Sequence, residues 1–253
     1  MSKRTLSLIS ALILSLGLGG CASNAQNKQD PYESYNRGVY RFNETVYRYT
    51  FRPLSKAYTT VTPKIFRTTT GNVLNNIGTV PDMANDMLQG NRHLFWNDLK
   101  RLFFNTTLGG LGLIDVAGKA KIYSHPQNFG YTLSKWGMPE GSFFMLPLLG
   151  PGTTTGTIGK IPDYFMDPMD YYSFKPKRDK YYVMGIKYLN LASTMLPRQD
   201  LITKDAIDPY AALRSAFMQN NAYNIRYIKH DGQIPPPQYK NNKSIPEDNG
   251  AAI

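Results

Sequence analysis

The sequence predicts an all-α protein, a single domain of amphipathic helices, and three observations carry that expectation. Apolar and aromatic residues recur at steps of three and four over successive segments. Two segments open on an Asp-Pro pair, Asp30-Pro31 and Asp208-Pro209, a capping residue followed by the residue pre-set for the first helical position. Four helical segments follow one another from residue 30 to residue 106, which excludes a β-sandwich.

The chain starts with Lys3 and Arg4, continues with an apolar run from Leu6 to Leu18 and reaches its only cysteine through Leu18-Gly19-Gly20-Cys21. This is the pattern of a secretory signal (residues 1–20), and the apolar run is too short for the roughly 20 residues a spanning helix needs. The last four residues resemble the bacterial lipobox, which makes Cys21 the expected site of acylation. Acyl chains contribute about 0.8 kcal/mol per buried methylene, so several of them hold a protein firmly on a membrane. Residues 21–29 are small and polar, a flexible acylated tether.

The helical domain is expected over residues 30–230. Asp30 can cap its first helix, with Glu33 at capping-box spacing. Tyr32, Tyr35, Val39, Phe42, Val46 and Tyr49 then form one stripe, expected to face the core for the most part, that ends near Arg52-Pro53. A second helix runs from Thr62-Pro63 to Gly78 and a third from Pro81 to Gly90, where glycine suits a left-handed terminator. The fourth covers Asn91 to Thr106, with Leu94, Phe95, Leu99, Leu102 and Phe103 as its apolar face and Asp98, Lys100 and Arg101 carrying charge. Residues 107–161 are glycine-rich, apolar and irregular, a texture that is usually functional or buried. Helices resume over Lys180 to Leu196, closed by Pro197, and over Asp208 to Lys229. Residues 231–253, with Pro235-Pro236-Pro237, have almost nothing to bury and are expected to be a disordered tail.

Composition narrows the function. The net charge of +11 comes from dispersed Lys and Arg; on an exported chain it suits anionic headgroups, at about 1 kcal/mol per well-placed residue, and not nucleic acid. Tyr 18 and Phe 12 against Trp 2 suit a surface apolar at one end and wet at the other. Gly109-Gly110-Leu111-Gly112 lacks dinucleotide spacing, and Gly159-Lys160-Ile161 lacks the remaining residues of a phosphate loop. His93, His125 and His230 are far apart with no partner cysteine, which argues against zinc. No serine sits in a nucleophile elbow. Asp82, Asp86, Asp98, Asp115, Asp163, Asp167 and Asp170 could pair for hydrolysis, but most read as caps and turn residues. The expectation is a non-enzyme without cofactor or metal.

The chain resembles the MlaA/VacJ lipoproteins. The likeness rests on Asp30-Pro31-Tyr32-Glu33 with Asn36-Arg37 and Phe42-Asn43; on Pro81 with Leu88-Gln89-Gly90; and on Arg101, Asn105-Thr106, Gly109, Gly112 and Asp115-Val116-Ala117. It continues with Phe129-Gly130, Thr132-Leu133, Gly137, Leu146-Pro147 and Gly150-Pro151, and ends with Asp208-Pro209-Tyr210, Arg214, Ala216-Phe217 and Gln219. Two departures stand out: Thr153-Thr154-Thr155-Gly156 replaces a customary Arg-Asp pair, and Ala192 stands where the family often has Arg.

The resemblance implies a ring of helices in the inner leaflet of the outer membrane, on its periplasmic face, with a central amphipathic channel. Misplaced phospholipids would leave the outer leaflet through it and pass to a soluble periplasmic lipid carrier of the Mla system, and the ring would associate with outer-membrane porin trimers. The missing Asp after Cys21, where Ala22 stands, agrees with outer-membrane sorting as this resemblance implies it. Candidate channel and gate residues are Gly109, Gly112, Gly137, Gly141, Phe143, Met145, Leu146, Pro147, Leu148 and Lys187, the apolar ones contacting acyl chains and Lys187 attracting a phosphate. The alternatives are a membrane-anchored phospholipase or glycan hydrolase using an Asp pair, and a non-catalytic envelope scaffold.

Overall fold

The computed structural model describes residues 30–171 and 178–233. The signal sequence, Cys21, the tether and residues 234–253 of the expected tail lie outside the described residues. The elements are α1 (Glu33–Val46), a π-helical turn (Tyr47–Phe51), α2 (Arg52–Val61), α3 (Lys64–Gln89), α4 (Arg92–Thr107), α5 (Val116–Lys119), α6 (Phe129–Lys135), β1 (Phe143–Leu146), β2 (Gly150–Thr153), α7 (Thr154–Met166), α8 (Pro168–Tyr171), α9 (Arg178–Asp205) and α10 (Pro209–Lys229). The molecule is mostly helical, as expected, with one antiparallel hairpin of β1 and β2 in which Phe143 faces Thr153 and Leu146 faces Gly150.

Several expected breaks are bridged. The first helix does not end at Arg52-Pro53: a π-helical turn widens the hydrogen-bond register there, with Arg52 N–H donating to the Tyr47 carbonyl. Proline clashes with the carbonyl four residues before it, and the wider turn relieves that clash so that helix continues as α2. The expected second and third helices are one, α3, running 26 residues through Gly78 and Pro81. Packing along α4 outweighs those local breakers. α9 likewise continues past Pro197 to Asp205. Other signals hold: Gly90 ends α3 at φ +69°, and Asp208 caps α10 by accepting from Ala211 N–H at 3.1 Å.

Asp30 does not cap α1. Its carboxylate is fully buried and joins the two ends of the domain: it accepts from the Asn36 amide at 2.8 Å, from Arg214 at 3.1 Å and from the Tyr210 hydroxyl. Arg37 adds a fork to Asp208 at 2.6 and 3.1 Å and lies 4.5 Å over the Tyr210 ring. The guanidinium holds the Asp208 carboxyl down at about 2. The first and last helices, about 180 residues apart in sequence, thus close the helical arrangement on itself.

The hairpin docks on α1 through two asparagines spaced seven residues apart, which lie on one helical face. Asn36 donates to the Phe143 carbonyl at 3.2 Å and accepts from Met145 N–H at 2.8 Å. Asn43 repeats the pattern with the Leu146 carbonyl and Leu148 N–H at 2.9 and 2.8 Å. Each carboxamide therefore does for the outer edge of β1 what a third strand would do. A small apolar core of Phe143, Met145 and Tyr210 packs beneath, with Val39, Tyr40, Leu213 and Phe217 around it.

Asn36 is fully buried and makes three such bonds, so Asn36→Ala should lower stability by about 3 kcal/mol, against about 1 kcal/mol for the half-exposed Asn43→Ala. Chemical denaturation in detergent measures both; equal losses would contradict the docking role given to Asn36.

Candidate functional site

The helices are inverted. α4 buries Leu94, Asp98, Arg101 and Asn105, a stripe at helical spacing that is mostly polar, while Trp96 and Phe103 are 57% and 59% exposed. α3 does the same, burying Asn76, Thr79, Asn85, Asp86 and Gln89 with Ile65, Phe66 and Met87 outside. The stripe of α1, expected to be core-facing, is exposed at Tyr32, Phe42 and Tyr49. Among the described residues the buried hydrophobic side chains are Leu94, Ala117, Phe143, Met145, Tyr210 and Ile228, far fewer than the buried polar ones. No described helix is long and apolar enough to cross a membrane.

The interior is a hydrogen-bonded polar network. Thr132 donates to Asn85 at 2.7 Å and accepts from Gln89 at 2.9 Å. Gln127 ties the extended segment before α6 to α3, its N–H to Asp82 at 2.7 Å and its amide to Asp86 at 2.9 Å. Next to it, His125 Nε2 lies 3.3 Å from Asp86 and 3.4 Å from Asp98. Burial pushes the Asp82 and Asp98 carboxyls up to about 7. Desolvation pulls His125 down, but the hydrogen bond to Asp86 and the charges of Asp98, Asp86 and Asp82 outweigh it and raise its pKa. Further along α4, Asn105 and Arg101 bind Asp115 at 2.9 and 3.3 Å, and Asn105 accepts from Ala117 N–H at 2.9 Å.

Between this network and α10 opens a cleft of about 730 Å³, within the range of small-molecule sites. Its walls mix Tyr123, Tyr131, Tyr223 and Tyr227 with His125, Gln127, Asn220 and Asn224. A smaller cavity of about 130 Å³ shares Asn128 and Tyr131 with it and reaches Lys160, Asp163 and Phe217. Flat apolar rings with amide tips make an amphipathic wall, able to face hydrocarbon and polar groups side by side.

The sequence-predicted residues are not one site. Gly109 and Gly112 belong to the tight turn after α4: a Cβ on Gly109 would overlap the Ile114 carbonyl, and one on Gly112, at φ +91°, would lie 2.7 Å from Asn76 Cβ. Both let the turn lie close against its neighbours. Gly141 (φ +70°) faces Thr154 in the same close manner, whereas Gly137 (φ +102°) has open space around it. Phe143 and Met145, each 1% exposed, are core residues, which corrects their expected place on an acyl-contacting surface. Strand alternation divides the segment, and the exposed apolar residues are at the hairpin tip: Pro147, Leu148 at 63% and Leu149. Lys187 is paired with Asp167 at 3.2 Å; that ion pair replaces the free cation the sequence suggested. Thr153, in the departed motif, accepts from Gly156 N–H and caps α7. Asp231, where the tail was expected to begin, accepts from the His93 and Leu94 N–H groups and caps α4.

Sequence reasoning missed the cleft and the Asp86–Asp98–His125 group. The first draws on residues 123–131 and 220–232 and the second on three separate segments, so only their individual side chains were visible.

A family model described as MlaA lipoprotein matches residues 28–224. The chain belongs to the MlaA lipoprotein family. It is 31% identical to the intermembrane phospholipid transport system lipoprotein MlaA of Escherichia coli, over 95% of this chain and 96% of that protein. The MlaA of the same description from Haemophilus influenzae is 26% identical over 97% of both, and a Rickettsia felis protein is 32% identical over 78% of both. A solved structure described as "Structural basis for maintenance of bacterial outer membrane lipid asymmetry" superposes with a TM-score of 0.65 at 30% identity, covering 78% of this chain and all of that one.

The glycines of this MlaA-family chain separate by geometry. Gly112→Ala meets both positive φ and the Asn76 side chain and should cost about 2 kcal/mol or more, while Gly137→Ala meets only the backbone penalty of about 1 kcal/mol. Comparing melting temperatures of the two variants checks this; a Gly137→Ala loss as large as that of Gly112→Ala would contradict it.

Proposed function

We propose that this protein is a non-catalytic phospholipid conduit held on the periplasmic face of the outer membrane by acylated Cys21. It takes misplaced phospholipids from the outer leaflet and hands them to a soluble periplasmic carrier, so that lipid asymmetry is maintained. The observation that carries the reading is the inverted burial of α3 and α4: polar residues inside, aromatic and aliphatic residues outside, and no described helix able to span. A body of that kind is stable half-sunk in a single leaflet, because its helices satisfy their own backbones while the apolar exterior meets acyl chains. The family relatives' names as phospholipid transport lipoproteins agree with it.

Within this reading the tyrosine- and amide-lined cleft is part of the passage through a ring of helices, and the hairpin tip with Leu148 and Leu149 dips into the lipid. Leu148 is held at φ +62°, an unfavourable conformation for leucine, and its place on an exposed tip suits lipid contact. Porin trimers are the proposed membrane partner. A non-catalytic role is supported by the burial of the carboxylates that come together, Asp86 and Asp98 being 0% and 1% exposed.

The test is reconstitution in liposomes with labelled phospholipid and a soluble carrier. The wild-type protein should transfer intact lipid. Asn220→Trp, which fills the cleft from an exposed position, should slow transfer about 10-fold, equivalent to about 1.4 kcal/mol, without changing membrane attachment. Unchanged transfer would remove the cleft from the route, and lysolipid or free fatty acid among the products would point to a hydrolase.

A further inference from the structure

Asn97 of α4 directs both hydrogens of its amide nitrogen at one stretch of the cleft wall. That nitrogen donates to the Tyr123 carbonyl at 2.9 Å and lies 3.3 Å from Nδ1 of His125. A carboxamide nitrogen offers only hydrogens, so Nδ1 is the acceptor and the ring proton sits on Nε2. His125 is therefore held as the neutral imidazole, with Nε2–H turned to Asp86 at 3.3 Å. Tyr123 and His125 both line the cleft, and Tyr123 is 70% exposed.

The surroundings of the ring favour the opposite charge state. Nε2 also lies 3.4 Å from Asp98 Oδ2, which accepts no hydrogen bond although Asp98 is 1% exposed. A buried carboxylate oxygen in that state is costly, and an imidazolium between the two carboxylates offsets the cost. The charged and titratable groups around the ring are Asp82 and Asp86 on α3, Asp98 and Arg101 on α4, Lys135 on α6, Tyr227 on α10, whose ring centroid is 6.5 Å away, and Asp231 beyond it. Both cations are engaged elsewhere, Arg101 with Asp115 and the Ile122 carbonyl, Lys135 with Asn91 and the Ile228 carbonyl. Burial lowers the basicity of His125, but the bond to Asp86 and the charges of Asp98, Asp86 and Asp82 raise it above its ordinary value. Two demands thus meet on one ring: the carboxylates favour a second proton, and the Asn97 amide occupies the place where it would go.

We propose that Asn97 and His125 form a proton-operated latch on the cleft wall, closed while His125 is neutral and released when it takes a second proton at Nδ1. The proton comes from solvent, since the His125 side chain lines the cleft and is 10% exposed. Nδ1–H then faces the Asn97 hydrogens, and the amide turns its oxygen to accept from it. That oxygen stands where the nitrogen was, acceptor against acceptor with the Tyr123 carbonyl. Tyr123 loses its donor, and residues 123–124 leave α4 between two points that stay tied: the Ile122 carbonyl on Arg101, and Gln127 on Asp82 and Asp86. A histidine whose charge changes near neutral pH suits such a device. Its effect on lipid passage rests on the conduit reading, whereas the latch itself is read without lipid.

The experiment titrates the full chain in detergent through the neutral range, once with isotope-labelled histidine for NMR and once with a nitroxide at the exposed Ser124; His93→Gln and His230→Gln assign the His125 signals by elimination. At the alkaline end His125 should be the neutral Nε2–H tautomer. On acidification it should become imidazolium with a midpoint above about 6.5, and the Ser124 label should gain mobility over the same range. Asn97→Ala, which removes the opposing donor, should raise that midpoint by about 0.5 to 1 pH unit and leave the label mobile throughout. Asp98→Asn, which removes one favouring carboxylate, should lower the midpoint, and His125→Gln should abolish the pH dependence of the label. An Nδ1–H tautomer at the alkaline end overturns the latch, as does an Asn97→Ala midpoint that stays or falls, or a label that keeps its pH dependence in His125→Gln. If the Asn97, Asp98 and His125 variants fail to fold, the wild type decides: coincident His125 and label transitions support the latch, and a label indifferent to the His125 transition overturns it.

Discussion

A polar group beneath an apolar surface has little water to turn to, so most of them find a partner inside the protein, and this constraint shapes the described domain. Leaving one buried donor or acceptor unpaired costs about 1–3 kcal/mol. The buried faces of α3 and α4 therefore present short, versatile side chains that can donate and accept at once: Asn85 with Thr132, Gln89 with Thr132 and Asn91, Asn105 with Asp115 and Ala117. These bonds are directional, so they fix the relative position of helices that bury little hydrocarbon against one another. The aromatic and aliphatic residues, freed from the interior, cover the outside.

The same logic holds the ends of the domain together. Asp30 gathers Asn36, Tyr210 and Arg214, and Arg37 reaches Asp208. The acyl anchor expected at Cys21 precedes Asp30 by nine residues. The clamp thus stands at the start of the described residues, next to that expected tether in sequence. The hairpin is fastened there too, through Asn36, with its leucine-bearing tip projecting away.

Much of the fold was legible because caps and periodicity are local. Asp208-Pro209 opens a helix and Gly90 closes one as their chemistry requires. The continuous α3 was not legible: Gly78 and Pro81 read as breaks, and only packing on α4 and α9 carries helix through them. The β-hairpin and α7 lay hidden in glycine-rich sequence, where Gly150 supplies a positive-φ turn and Gly152 a close approach to Thr157. Periodicity also gives the width of an apolar stripe but not the side on which the core lies. The exposed Phe42 of α1 and Tyr49 of the π-helical turn, and the buried Asp98 and Arg101 of α4, reverse the usual assignment, as the proposed hydrocarbon surroundings require. At the site, Gly109, Gly112 and Gly141 lie against close neighbours and Lys187 pairs with Asp167, contacts that no linear pattern announces.

The central claim is that the apolar exterior lies in one leaflet and goes no deeper. Nitroxide labels at Ile65, Phe103, Ile158 and Leu148, all on the exposed apolar surface, measure it directly in bilayers through their relative access to oxygen and to a water-soluble nickel chelate. The account predicts labels shielded from nickel and open to oxygen at depths no greater than about 15 Å, half the hydrocarbon thickness, with a label at Asn220 in the cleft still reached by nickel. Labels as accessible to nickel as in free solution, or placed on both sides of the midplane, would contradict it.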